Sequence, residues 1–182
     1  MISKSKITSL LETSKALIND CVLDNGGIVA ANSTKPYFPK EAKNYFYIWP
    51  RDASFTCMAA DVLGIEQIQD GFFNWCLERA EGFRDEGVFY EKYYPNGLKA
   101  LPRFQPDQVG VFLYAIWHHL QYQSVKASES KYSELIQLAA NGICSVWNKN
   151  HFASKTNDLW EERTCFPDLE ENYSYALACC IK

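Results

Sequence analysis

The chain has 182 residues, 47% of them hydrophobic and 15% aromatic, which supplies one packed domain without disulfide or metal staples and excludes a disordered chain. Its net charge of -4, with no Lys/Arg cluster denser than "SKSK" near the start, argues against nucleic acid as a partner. No run of about 18 apolar residues exists to span a bilayer, and the amino terminus lacks the apolar heart of a secretory signal, so a soluble, cytoplasmic setting is expected.

Ile7, Leu10, Leu11, Leu17 and Ile18 recur at helical spacing, and turn residues from Asp24 to Gly27 close this first helix. After an irregular stretch around "NSTKPYFPKEAKN", Ala53 to Leu63 predicts a second helix ended by Gly64. Ile65 to Gly82 predicts a third, with Ile68, Phe72, Trp75, Cys76 and Arg79 in steps of three and four. The aromatic alternation of "GVFYEKYYPNGLKAL", meeting Pro95-Asn96-Gly97, predicts a small hairpin or extended loop. Asp107 to Gln123 predicts a fourth helix with Phe112, Ala115, Ile116 and Leu120 inward. Lys131 to Trp147 predicts a fifth, with Tyr132, Leu135, Ile136, Ala139, Ile143 and Val146 on its apolar face, and Glu171 to Ile181 a sixth. Six helices joined by alternately short and long loops suggest successive helical hairpins in an all-α fold. The pattern runs up to "YALACCIK" with no finishing loop, as in a chain cut inside a larger repeating architecture.

Seven cysteines, odd in number and without CxxC spacing, fall mostly among apolar neighbours and are expected to be buried thiols of a reducing compartment. Only three histidines are present, with no ligand-type cluster, so no metal site is expected. His119 shares a helical stripe with Phe112, Ala115 and Ile116, which favours a hydrogen-bonded core histidine over a ligand or base.

Cleaving a glycosidic bond usually takes two carboxyl groups, one protonated and one ionised, so acids set beside apolar walls are the residues to seek. In "TNDLWEERTCF", Glu161 and Glu162 raise each other's pKa and desolvation against Trp160 adds to it, pushing one toward the protonated form; Arg163 opposes this if it turns inward. The alternative is a solvated loop with Trp160 half-buried. In "YFYIWPRDASF", Arg51 and Asp52 form a donor and acceptor pair at a helix start, matched to sugar hydroxyls, beside the flat rings of Tyr45, Tyr47 and Trp49. The alternative there is that Asp52 serves only as an N-cap and Arg51 as a surface charge.

Together these stretches resemble the catalytic domain of glycoside hydrolase family 15, the glucoamylase-type exo-glucosidases. "YIWPRDASF" resembles the family's tryptophan-Arg-Asp signature, "RFQPDQVG" its Gln-x-Asp stretch, "NDLWEER" its Asp-Leu-Trp-Glu-Glu signature, and "GGIVAANST" its amino-terminal approach to the pocket. The order and approximate spacing agree over most of residues 20 to 178. The resemblance implies an (α/α)6 toroid of twelve helices, of which residues 1–182 would form a single incomplete domain of about six, truncated on its carboxy-terminal side.

Carried over by position, Arg51 and Asp52 would hold the terminal glucose at the non-reducing end, with Trp49 beside them. Glu161 would be the general acid, Glu162 a contact on the leaving-group side, and Trp160 part of the wall. Gln105 and Asp107 would line or brace the pocket. The family inverts the anomeric centre, and its water-activating base lies in the carboxy-terminal part of the barrel. Glu86, Glu91, Asp158 and Asp168 do not sit in a base-like motif.

The expected activity is therefore cofactor-free and metal-free release of glucose from α-glucans or short α-glucosides. The chain alone would be inactive, expose inner-ring apolar surface, and pair with a complementary carboxy-terminal half. The alternatives are a non-catalytic regulatory or carbohydrate-binding module, such as occurs in phosphorylase kinase subunits, or an ordinary helical interaction domain. Glu161, Arg51 and Asp52 together weigh against the non-catalytic module.

Overall fold

Residues 3–124, 131–154, 156–157 and 173–181 are described in the computed structural model. Helix α1 spans Lys4–Cys21, α2 Pro50–Leu63, α3 Ile68–Arg79 and the short α4 Phe83–Glu86. Strands β1 (Tyr90–Tyr93) and β2 (Lys99–Phe104) follow, then α5 (Asp107–Gln123), α6 (Ser133–Ser145), β3 (Trp147–Asn148), β4 (His151–Phe152) and α7 (Ser174–Ile181). The fold is all-α, with β1 paired antiparallel to β2 and β3 to β4 as two small ribbons.

Helix α5 sits in the middle of a row, packed on α2 at one side and α7 at the other, while α1 and α3 contact α2 and α6 contacts α5. Inner helices backed by outer ones are the layout of part of an α/α toroid. Gly110 allows the α5 to α7 approach: a Cβ there would lie 2.2 Å from the Cys179 carbonyl oxygen.

The core is aromatic. Phe112 of α5 meets the edges or faces of Phe72, Phe73, Phe83 and Phe89 at centroid distances of 6.2, 5.7, 5.7 and 5.1 Å, and Phe83 stacks on Phe89 at 4.1 Å. All five side chains are fully buried. The residues expected to face inward on α5 do so, His119 included. Its Nδ1 lies 2.7 Å from Asp61, which also accepts from Gln69 and lies 3.0 Å from His118 Nδ1. The histidine is thus a hydrogen-bonded core residue.

Several expectations are corrected. The second helix starts at Pro50, because proline's fixed φ suits the first helical position, and ends on Gly64 at φ 67. The third breaks at Ala80 and re-forms as α4. The fifth covers only Ser133–Ser145, and Trp147 instead pairs with Phe152 across a tight turn. The apolar stripe of α1 is not buried: Ile7, Leu10, Leu11 and Leu17 are exposed, and only the helix end around Ile18 and Cys21 packs on the core. Of the six described cysteines, only Cys57 and Cys76 are buried, and Cys165 lies outside the described residues. No helix among the described residues is long and apolar enough to cross a membrane.

Candidate active site

The amino-terminal ends of α2 and α5 lie together, and a ribbon and a loop reinforce that end. Ile48 and Tyr93 exchange main-chain hydrogen bonds of 2.9 and 2.8 Å, tying the approach to α2 onto β1. Pro50 starts α2 and Pro106 precedes α5, so each helix begins at a fixed place and carries an acid in its first turn, Asp52 and Asp107. A carboxylate there is favoured by the helix dipole.

Arg51 joins these two acids. Its Nη1 donates to Asp107 Oδ2 at 2.8 Å, and its Nη2 faces Asp52 Oδ2 at 3.3 Å. Nη1 also faces Gln105 Oε1 at 3.4 Å. The Asp107 side chain is fully buried, that of Arg51 is 15% exposed, and that of Asp52 is 48% exposed. One end of the chain of charges is thus sealed and the other open. Burial pulls the Arg51 pKa down, but attraction to Asp107 and Asp52 more than offsets this and leaves it raised. Asp52 keeps nearly half its side-chain surface accessible, yet the protein around it raises its pKa, burial outweighing the attraction of Arg51. Asp52 lies in the third position of α2, with Trp49 at the cap position, so it is not the helix cap.

Aromatic rings stand beside this pair. Trp49, half-buried, has the Tyr45 ring at 5.8 Å and the Tyr47 ring at 6.0 Å, and Lys92 Nζ lies 5.0 Å from its centroid and 4.4 Å from that of Tyr47. Tyr45 is exposed, offering a flat apolar face of the kind on which a sugar ring stacks.

The structure brings together Trp49, Arg51, Asp52, Gln105 and Asp107. Trp160, Glu161 and Glu162 lie outside the described residues, as do Asp158 and Asp168. The start of their segment is held near the site: Thr156 is buried, and the Asn157 N–H donates to the Phe104 carbonyl at 2.8 Å, one residue before Gln105. Glu91 is largely buried on β1, 3.8 Å from Arg103 Nη1, and Glu86 accepts from the Tyr90 hydroxyl at 2.6 Å.

Sequence reasoning missed three residues. Lys92 over the rings is one. Tyr175 of α7 is another: burial, with the nearby Cys179 and Asp107, raises its pKa, while Arg51 eases it. The third is Gln108, fully buried, whose Oε1 accepts from the Arg51 main-chain N–H at 2.6 Å. The available signal was the cluster of Gln105, Asp107 and Gln108 around Pro106, leading directly into the apolar face of α5.

Beside the site, a groove of about 540 Å³ runs between α5 and α7, lined by Phe55, Val111, Tyr114, Trp117 and Cys179 and reaching the charged network through Tyr175 and Cys179. Phe55, Tyr114 and Trp117 are exposed on it.

The sequence profile of the glycosyl hydrolases family 15 matches residues 2–171. An uncharacterized glycosyl hydrolase of Methanocaldococcus jannaschii is 34% identical over 161 residues, covering 87% of this chain and 24% of that protein. Among solved structures, a glycosidase carrying a glutamate-to-alanine substitution superposes with a TM-score of 0.67 at 18% identity, over 88% of this chain and 46% of that one. Another glutamate-to-alanine variant, in complex with glucose, gives 0.63 at 19% identity over 82% and 44%. At these identities the likeness to the solved structures is one of fold. The chain spans about a quarter of the curated relative's length and under half of these solved chains.

Proposed function

The chain belongs to glycosyl hydrolases family 15, and on that premise we propose that it carries the sugar-holding part of an inverting, exo-acting α-glucoside hydrolase that releases glucose from α-glucan ends. The observation that carries this reading is the line of charge from buried Asp107 through Arg51 to open Asp52, set beside Trp49 and Tyr45. A neutral sugar offers hydroxyls as donors and acceptors. Asp52 accepts from them, Arg51 donates, and the rings cover the apolar face of the pyranose. Glucose bound to a fold relative supports glucose as the sugar held.

Glu161 then protonates the glycosidic oxygen, with Glu162 and Trp160 keeping its proton in place near neutral pH. Water attacks the anomeric carbon from the opposite face, activated by a second carboxylate roughly 6.5–9.5 Å away. No acid of this chain stands in a base-like motif. We assign that base to a further helical half, and predict that the 182-residue chain holds sugar without turning it over.

The test is Glu161→Gln in the protein joined to such a half. Turnover of maltose should fall about 10²–10⁴-fold with sugar binding retained. Hydrolysis near the unsubstituted rate would remove Glu161 from the role of acid. Glucose release by the 182-residue chain alone would remove the need for a second half, and binding without turnover in the joined protein would favour a non-hydrolysing module.

A further inference from the structure

Gln108 is fully buried, and its side chain bonds three separate segments. Its Oε1 accepts from the Arg51 N–H at 2.6 Å, and its Nε2 donates to the Glu91 carbonyl and to Gln105 Oε1, both at 2.8 Å. Both amide hydrogens are therefore used, which fixes the orientation of the group. Turned over, it would set NH₂ against the Arg51 N–H and oxygen against the Glu91 carbonyl.

Helix α2 has no side-chain cap of its own, and the Arg51 N–H is one of the donors that a helix leaves unpaired in its first turn. Gln108 supplies the acceptor from α5. It also holds Gln105, whose Oε1 faces the Arg51 guanidinium at 3.4 Å. Arg51 is thus met at its main chain directly and at its side chain through Gln105.

We propose that Gln108 is a positioning residue for the sugar-holding pair, setting the first turn of α2 against α5 and β1 so that Arg51 and Asp52 face the substrate together. The inference rests on reading Arg51 and Asp52 as that pair. A role confined to stability would lower the folded fraction and leave the affinity of folded molecules unchanged. A positioning role lowers affinity in molecules that remain folded.

The test uses the purified full chain, unsubstituted and as Gln108→Leu and Gln108→Glu. The glutamate keeps an acceptor for the Arg51 N–H but turns both donors into acceptors facing the Glu91 carbonyl and Gln105. Amide exchange at Arg51 and maltose titration are both read by NMR, with peak dispersion reporting the fold. Gln108→Leu should speed Arg51 exchange and weaken maltose binding about tenfold or more while dispersion is retained. Its effect should be far less than additive with that of Arg51→Lys. Unchanged maltose affinity in folded Gln108→Leu overturns the proposal, and should that variant not fold, Gln108→Glu decides by the same two readings. If the unsubstituted chain binds no maltose, the sugar-holding reading has failed by itself; the Arg51 exchange rate then decides the clamp, and an unchanged rate overturns it.

Discussion

Replacing Asp107 with asparagine keeps its shape and removes one charge from the sealed end of the network. The pair it makes with Arg51 is 2.8 Å long, with one side chain fully buried and the other 15% exposed. Stranding one member of a buried ion pair costs about 3–5 kcal/mol. Arg51 retains Asp52 at 3.3 Å, Gln105 at 3.4 Å and the asparagine carbonyl, so the low end, about 3 kcal/mol, is expected. In a domain of this size that lowers Tm by about 6–12 °C. Urea unfolding should show the midpoint falling with its slope unchanged, the sign of lost stability without a change in compactness. A loss below about 0.5 kcal/mol, the worth of a solvated surface pair, would refute the claim that Asp107 holds the guanidinium.

The raised pKa of Asp52 predicts a pH effect. A carboxyl raised on folding favours the folded state at low pH, and that contribution disappears as pH climbs from the ordinary 3.8 through the raised folded value. Sugar binding needs the ionised acceptor, so maltose affinity should rise through the same window above 3.8, and a titration with no such rise would contradict the assignment. Gly110→Ala drives a Cβ to 2.2 Å from the Cys179 carbonyl and should cost about 1–3 kcal/mol, read as protease sensitivity at the α5 to α7 contact; unchanged sensitivity would mean the two helices part freely. Phe112→Ala empties the centre of the aromatic cluster and should cost about 3–5 kcal/mol by denaturant titration, with a loss under about 1 kcal/mol showing that the cluster refills.

The helices were readable wherever apolar spacing met a punctuating residue. For α5, whose stripe from Phe112 to Leu120 follows Pro106, the expected and observed ends agree. The start of α2 was not, because Pro50 reads equally as a break or as a first helical residue. Two-residue strands such as β3 and β4 carry no alternation to detect. The stripe of α1 carried the right period but not the information that no described segment covers it.

At the candidate site, the sequence sets Arg51 and Asp52 beside Trp49 and Pro50, and the structure joins Arg51 to Asp52 and Asp107. Gln108 was not readable from the sequence. A glutamine in the first turn of a helix ordinarily points to water, and only the meeting of α5 with α2 and β1 buries it and gives it three partners. Asp107 was noted as a brace, but its complete burial depends on the same meeting.

Asp52 offers the most direct test of the central claim, because its half-exposed side chain can be changed with little effect on folding. Maltose titrated calorimetrically into the chain and into Asp52→Asn should show saturable binding to the first and at least about tenfold weaker binding to the second, with both equally folded. Equal affinity of the two would contradict the account.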